Sequence, residues 1–120
     1  MKRDMDVVRK IVLALRDSDR AMSKLEGLDE AQYLMHAQLL IEADLAHGAV
    51  AKSGSSTAHA AAVILFRLTW AGHDFADAIV DDTLWKKAKD SVIKPGAAWT
   101  FGVLGEWLKV EIKARLGLPP

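Results

Sequence analysis

The sequence contains no cysteine, and this absence removes several kinds of chemistry at once. Disulfide bonds, a thiol nucleophile and cysteine-based zinc or iron–sulfur sites are all excluded. Long apolar runs are also missing. None approaches the roughly 18 residues of a membrane span, and residues 1–4 lead into a charged amphipathic segment, not into the apolar core of a signal peptide. We therefore expect a cytoplasmic protein that does not bind a membrane and is stabilised by side-chain packing.

An excess of positive charge is missing as well, because 16 Lys and Arg residues balance 16 Asp and Glu residues. The global field that draws many nucleic-acid-binding proteins to phosphate is therefore absent. The distribution is uneven. Residues 1–24 and 82–120 each hold seven basic and four acidic residues, net +3, whereas residues 25–51 hold five acidic residues and no Lys or Arg, net −5. The middle of the chain is acidic.

Capping residues and apolar spacing predict the first elements. Apolar residues at helical spacing predict a helix over about 4–17, and residues 18–28 are expected to form a loop, with a brief strand or turn at 21–25. Asp29, with Gln32 three residues later, has the pattern of a capping box, which predicts a second helix to about residue 43.

A hairpin is predicted next. Two apolar segments, 45–51 and 63–68, flank a polar turn at 52–57, although residues 58–62 could instead extend a helix. Three further helices follow, and their predicted limits come from Thr69 and Thr100 as caps and from Gly and Pro as terminators. The first covers 70–80. The second covers 84–93 and is ended by Pro95-Gly96. The last is capped by Thr100 and ended by Gly117 and Pro119.

The predicted fold class is mainly α with a small β-hairpin. The order helix, loop, helix, hairpin, helix is that of a winged helix-turn-helix-like core, here followed by C-terminal helices. A length of 120 residues suits one folding unit. We expect a single domain over 1–120, with the winged-helix-like core in 1–80 and a helical extension in 81–120.

Three blocks resemble a known family: Met1–Ile11 (M-K-R-D-M-D-V-V-R-K-I), Arg67–Ile79 (R-L-T-W-A-G-H-D-F-A-D-A-I) and Asp81–Lys89 (D-D-T-L-W-K-K-A-K). They look like a prophage-associated family of small proteins described only as a domain of unknown function. This resemblance spans nearly the whole chain and implies a phage or mobile-element origin and a bacterial host cell.

Two shorter elements resemble bacterial winged-helix regulators. Leu68–His73 is similar to the junction after the wing, and His36–Leu45 is similar to the end of the recognition helix. Asp44 stands where Gly is usual in that helix end, a departure that Asp tolerates because it can adopt the left-handed conformation.

Catalytic motifs are absent from the sequence, including G-x-S-x-G, a phosphate-binding glycine loop and H-E-x-x-H. His73 and Asp77 are one helical turn apart and could offer two ligands to a metal, but a catalytic metal needs at least three. A structural role for His73, ordering the start of its helix by hydrogen bonding, is favoured. We expect no enzyme activity, no metal and no cofactor.

The four tryptophans admit two interpretations. Exposed aromatic residues beside basic ones can stack on nucleic-acid bases. Burial in the core is favoured because a large ring contributes about 2–3 kcal/mol when buried. The residues are Trp70, Trp85, Trp99 and Trp107.

The helix before the hairpin would be the reading helix of a winged-helix protein, and its outer side is the predicted binding surface. Helical periodicity assigns Tyr33 and Leu34 to the core. The candidate DNA- or partner-binding residues are Gln32, Met35, His36, Gln38 and Leu39 in the helix and Lys52, Ser53 and Ser55 in the wing. Glutamine can read adenine edges, but the helix has no Lys or Arg to contact phosphate. Met35 and Leu39 are more typical of a protein-contact patch.

The last helix carries more apolar surface than one core face requires. Phe101, Leu104, Leu108 and Ile112 form one stripe, and Val103, Trp107 and Val110 widen it. We expect the second group to form a homodimer interface.

Two main functions remain open at this point, and a metal-dependent enzyme at His73 and Asp77 is a third, weaker hypothesis. The leading hypothesis is a phage or prophage transcriptional regulator that binds DNA. The alternative is a phage-encoded, anti-CRISPR-like inhibitor that uses the same scaffold to bind a host protein of a defence or transcription complex.

Overall fold

The computed structural model describes residues 1–52, 60–94 and 98–119. This part of the chain is mainly α-helical with one antiparallel β-hairpin, as the sequence predicts. The elements are α1 (Met5–Arg16), α2 (Glu30–Glu42), β1 (Ala46–Lys52), β2 (Ala60–Leu68), α3 (Trp70–Ile79), α4 (Asp82–Ala88), a π-helical turn (Lys89–Ile93) and α5 (Phe101–Arg115). Within these residues, no helix is long and apolar enough to cross a membrane.

The chain divides into two compact units, residues 1–76 and 77–120. The first unit contains α1, α2, the hairpin and most of α3, and the second contains the end of α3 and all later elements. The expectation of one domain over 1–120 stays a prediction.

α1 is capped and amphipathic, and it packs against α2 and β2. The carboxylate of Asp4 accepts a hydrogen bond from the backbone N–H of Asp6, which satisfies a donor that the first turn leaves free. The buried face then follows helical spacing. It consists of Met5, Val7, Val8, Ile11, Val12 and Leu15.

The segment between α1 and α2 is pinned to the hairpin at one residue. Met22 forms an isolated antiparallel bridge with Leu65, with both N–H···O distances at 2.8 Å. The side chain of Tyr33 on α2 reinforces this bridge, because its hydroxyl lies 2.9 Å from the carbonyl oxygens of Met22 and Val63 and donates its proton to this pair. The brief strand or turn expected at 21–25 is therefore a single bridge residue.

The hairpin is closed by hydrogen bonds at Thr69. Its hydroxyl donates to the carbonyl of Asp44 over 2.7 Å, and its backbone N–H donates to the carbonyl of Leu45 over 3.0 Å. The same hydroxyl caps α3 by accepting from the N–H of Gly72 over 3.0 Å. Asp44 has φ 59°, so the left-handed conformation expected at this position is confirmed.

Gly72 allows α3 to approach this junction closely. A Cβ at residue 72 would stand only 1.9 Å from the carbonyl oxygen of Leu45, so no larger residue fits without movement of the backbone. Trp70 lies two residues earlier and hence, at about 100° per residue, on the far side of α3 from this contact. Its side chain is 85% exposed. The expected burial of Trp70 is therefore wrong, whereas Trp85 is buried as expected.

In the second unit, α4 and α5 are joined by ion pairs. Lys87 Nζ lies 2.8 Å from a carboxylate oxygen of Glu111, and an Arg115 guanidinium nitrogen lies 3.5 Å from Asp81. The N–H of Leu84 donates to Asp81 and caps α4, and this hydrogen bond, helped by Arg115, lowers the pKa of Asp81. The buried residues of α4, the turn and α5 are Leu84, Trp85, Ala88, Val92, Leu104 and Leu108.

The helix predicted over 84–93 is thus a short α-helix followed by a π-helical turn, and its predicted end at Pro95-Gly96 lies outside the described residues. Thr100 caps α5 as expected, by accepting from the N–H of Val103. Gly117, which follows α5, has φ 73°, the left-handed conformation that commonly ends a helix.

Tyr33 gives a direct test of the packing around α2. Burial raises its pKa to about 12, above the value of 10.0 for an unburied tyrosine. The folded state therefore holds the phenolic proton more tightly than the unfolded state. This contribution to stability is complete below pH 10 and is lost as the pH rises through about 12, a decrease of roughly 2–3 kcal/mol. Because Tyr33 is the only tyrosine, tyrosinate absorbance during an alkaline titration reports this residue alone.

The control for this titration is Tyr33→Phe. We expect the variant to lose roughly 1 kcal/mol of unfolding free energy at neutral pH and to lack the tyrosine-linked decrease at alkaline pH. Titration of Tyr33 in the folded protein at the pKa of a free tyrosine would contradict the burial of its hydroxyl.

Two helical glycines should respond oppositely to alanine. Gly72→Ala places a methyl group against the Leu45 carbonyl and should lower the unfolding free energy by at least about 2 kcal/mol. Gly105→Ala is the matched control, since among the described residues no atom beyond the adjacent backbone of α5 lies within 4 Å of its Cβ position, and it should raise stability by about 0.5–1 kcal/mol. Urea unfolding measures both. Equal effects would show that the α3 junction is not closely packed.

Candidate functional site

A groove of about 490 Å³ runs along the outer side of α2, within the first unit. Apolar side chains dominate its wall. The lining residues are Met1, Ala31, Leu34, Met35, Gln38, Leu39, Glu42 and Ala60. Ala31 and Glu42 mark its ends on the helix, and at 1.5 Å per residue they are about 16 Å apart. The groove therefore matches about three helical turns in length.

Sequence reasoning found three of these residues. Met35, Gln38 and Leu39, which helical spacing assigned to the outer side of α2, lie together on the wall of the groove and are each half-buried. Their shared placement follows from i, i+3 and i+4 spacing, which puts side chains on one helix face.

The groove is acidic as well as apolar. Among the described residues that line it, Glu42 has the only charged side chain. Glu30 and Asp44 are also exposed, at the start of α2 and two residues after its end, and α2 has no Lys or Arg. An approaching ligand meets methionine, leucine and carboxylate groups and no cation of α2.

His36 is the main correction to the predicted site. The sequence placed it on the outer side of α2, but its side chain is 1% exposed and faces the core. Its Nε2 accepts a hydrogen bond from the backbone N–H of Asp4 over 2.8 Å, so Nδ1 carries the proton and donates to the carbonyl of Gln32 over 2.7 Å. His36 thus holds the start of α1 against α2 and presents no side-chain surface to a ligand.

Gln32 also has a structural role. Its side-chain oxygen accepts from the backbone N–H of Asp29, and the Asp29 carboxylate accepts from the N–H of Gln32, which confirms the predicted capping box. Gln32 does not line the groove. Of the predicted wing residues, Lys52 is exposed at the end of β1, and Ser53 and Ser55 lie outside the described residues.

Five of the lining residues were not among the predicted binding residues, including Leu34 and Met1. Leu34 was assigned to the core, but it is only half-buried and lines both this groove and a second one of about 600 Å³ beside the N-terminal half of α2. Met1 lies in the groove because the hydrogen bond between the Asp4 N–H and His36 holds the N-terminal residues against α2. No local pattern in the sequence signals a contact that depends on this long-range hydrogen bond.

His73 and Asp77, the two possible metal ligands, are not part of a metal site among the described residues. The side chains of His73 and Asp77 are exposed, and the hydroxyl of Thr69, not the imidazole of His73, caps α3. Within residues 1–52, 60–94 and 98–119, no group of three His, Asp or Glu side chains is placed to hold a metal ion.

The predicted dimerisation residues lie on α5. Val103 and Val110 are 52% and 53% exposed, and Trp107 is half-buried. In the same helix Leu104 and Leu108 are buried, so the apolar surface of α5 is divided between an inner and an outer side.

Comparison with known proteins places this mainly α protein, with its winged-helix-like order of elements, in a family. The model of the family DUF2513, whose description is "hypothetical protein", matches residues 2–98, and the chain belongs to this family. An uncharacterized protein of Haemophilus influenzae is 31% identical over 97 residues, which cover 77% of this chain and 79% of the relative. No solved structure matches the chain significantly.

The different roles of His36 and Gln38 can be measured. His36→Ala leaves a cavity and removes the acceptor for the Asp4 N–H, so we expect the unfolding free energy to fall by about 2–4 kcal/mol. Gln38→Ala, on the half-exposed groove wall, should change it by less than about 0.5 kcal/mol. Chemical unfolding of the two variants makes the comparison. A His36→Ala variant as stable as the parent would contradict the anchoring role.

Proposed function

We propose that this protein is a non-enzymatic binding module that holds an apolar, positively charged segment of a partner protein in the groove along α2. The observation that supports this proposal is the combination of an apolar wall with an α2 helix that has no Lys or Arg.

The shape of the groove suits a helical ligand. An amphipathic helix presents apolar anchors at i, i+3, i+4 and i+7, and about 16 Å of groove accommodates such a set. Met1 and Met35 suit this use because their unbranched, polarizable side chains adapt to differently shaped ligands. Leu34 and Leu39 give the wall its more rigid apolar surface.

The negative charge of residues 25–51 favours a positively charged ligand. Residues 25–51 carry five acidic and no Lys or Arg residues, so a ligand with Lys or Arg beside its apolar anchors gains favourable electrostatic contacts. Glu42 on the groove wall is placed to provide them.

The same features argue against α2 as a DNA-reading helix. Phosphate contacts supply much of the affinity of protein–DNA complexes, and carboxylates at that surface repel phosphate. Two of the side chains expected to read or contact DNA are also engaged elsewhere, His36 in the core and Gln32 in the helix cap. We therefore do not propose a DNA-binding regulator. DNA binding is instead the alternative that the experiment below tests.

The resemblance to prophage-associated proteins supports a bacterial partner. We propose that the groove binds a protein of the host cell cytoplasm, such as a subunit of a defence or transcription complex, and that binding inhibits that complex.

The test uses displayed helical peptides selected on the immobilised protein. We expect enriched peptides to carry apolar residues at helical spacing with Lys or Arg beside them. Met35→Glu, which places a charge on the apolar wall, should weaken binding of an enriched peptide by at least about tenfold. Ala43→Glu adds the same charge just after α2, at an exposed residue that does not line the groove, and should leave binding within about twofold.

Retention on immobilised DNA is measured in parallel over a range of salt concentration. Weak retention that is unchanged by Met35→Glu agrees with the proposal. Strong retention that falls steeply with salt, together with no peptide enrichment, would establish DNA binding and overturn it.

A further inference from the structure

α5 carries an apolar line that its own unit leaves largely uncovered. Val103, Trp107, Val110 and Ala114 follow one another at spacings of four, three and four residues. At 100° per residue they lie within about 60° of the helix circumference. Val103 and Val110 are more than half exposed, Ala114 is exposed as well, and Trp107 is half-buried. We call these four residues the α5 seam.

The seam is distinct from the face that α5 buries. Leu104 and Leu108 are 0% and 3% exposed, and Glu111 lies on the same side, where it pairs with Lys87. This side is centred about 100° from the seam. The packing of the second unit therefore does not explain why the seam is apolar.

We infer that the α5 seam binds the seam of a second copy of this chain in an antiparallel, twofold-symmetric pair. Alternating spacings of four and three residues are those of the a and d positions through which two helices pack in a coiled coil. A twofold axis midway along the seam sets Trp107 beside the partner's Val110 and Val103 beside the partner's Ala114. This inference concerns the second unit and does not depend on the α2 groove.

The flanking charges decide the orientation. Glu106 and Lys113 occupy successive g positions, on the side of the seam away from the buried face. In an antiparallel pair g positions face g positions, so Glu106 meets the partner's Lys113 twice in each dimer. A parallel pair would instead set Glu106 against the partner's Glu111, bringing two carboxylates together. Glu106 makes an exposed contact of 3.4 Å to Lys109, which an intermolecular pair can replace.

Sedimentation equilibrium of the full chain from about 1 to 100 μM tests the association, a range chosen because small interfaces are weak. We expect a reversible dimer. Val110→Glu should raise its dissociation constant by at least about tenfold. Ile64→Glu introduces the same charge at an exposed aliphatic residue of the hairpin and should leave the constant nearly unchanged. Thermal unfolding verifies that both variants fold. A monomer at every concentration, or a dimer unaffected by Val110→Glu, would overturn the inference.

Orientation is tested by charge exchange and by cross-linking. Glu106→Lys and Lys113→Glu should each weaken the dimer, and the double variant should restore it. Because the chain has no cysteine, single-cysteine variants are clean probes. An equimolar mixture of Val103→Cys and Ala114→Cys should form a mixed disulfide readily, whereas Val103→Cys alone should not, because its two copies would lie about 16 Å apart along the axis. Ready cross-linking of Val103→Cys to itself would show a parallel pair.

Discussion

The Tyr33 hydroxyl determines how α2 is rotated, and the rest of the first unit depends on that rotation. The hydroxyl is buried and bonded to carbonyls on two different segments, so turning α2 would leave this hydroxyl buried without a partner, at a cost of about 1–3 kcal/mol. His36, one turn along, adds a second buried polar anchor through Asp4. With these two side chains fixed inside, Met35 and Leu39 are directed to the other side. The groove therefore depends on the buried hydrogen bonds of Tyr33 and His36 as well as on the apolar residues of the outer face of α2.

A winged-helix-like order of elements is usually associated with DNA, but the order alone does not determine the ligand. What differs here is the surface that the scaffold presents. Between α1 and α2 lies a segment of bends and turns with one bridge residue, and the helix before the hairpin is acidic and apolar. A basic reading helix would attract phosphate at long range, whereas this helix offers a short apolar groove that acts only on contact. The physical case for a protein ligand rests on this difference in charge and on the methionines of the groove wall.

The helices and strands could be predicted from the sequence where a local pattern, such as a capping residue, determines them. Asp29 and Gln32 fix the start of α2, Thr69 and Thr100 cap their helices, and Asp44 takes the left-handed conformation expected of it. The site was readable only in part. His36 is polar and lies at the boundary of the apolar stripe, so periodicity directs it outward, and only its long-range bond to Asp4 explains its burial. Trp70 was misjudged for the same kind of reason, because the close contact between Gly72 and Leu45 decides which side of α3 faces outward, and it leaves no local signal.

The two helices on which function is proposed share a physical property. α2 and α5 each bury one face within their own unit, and each carries a second apolar surface on another side. Covering such a surface contributes about 25 cal/mol per Å², so a protein gains free energy whenever a ligand or a second copy excludes water from it. Single exposed apolar residues are ordinary, but lines of them at helical spacing are the form that a helical partner can use. The methionine-rich groove on α2 favours a variable ligand, whereas the regular spacing and paired charges of α5 favour an identical helix.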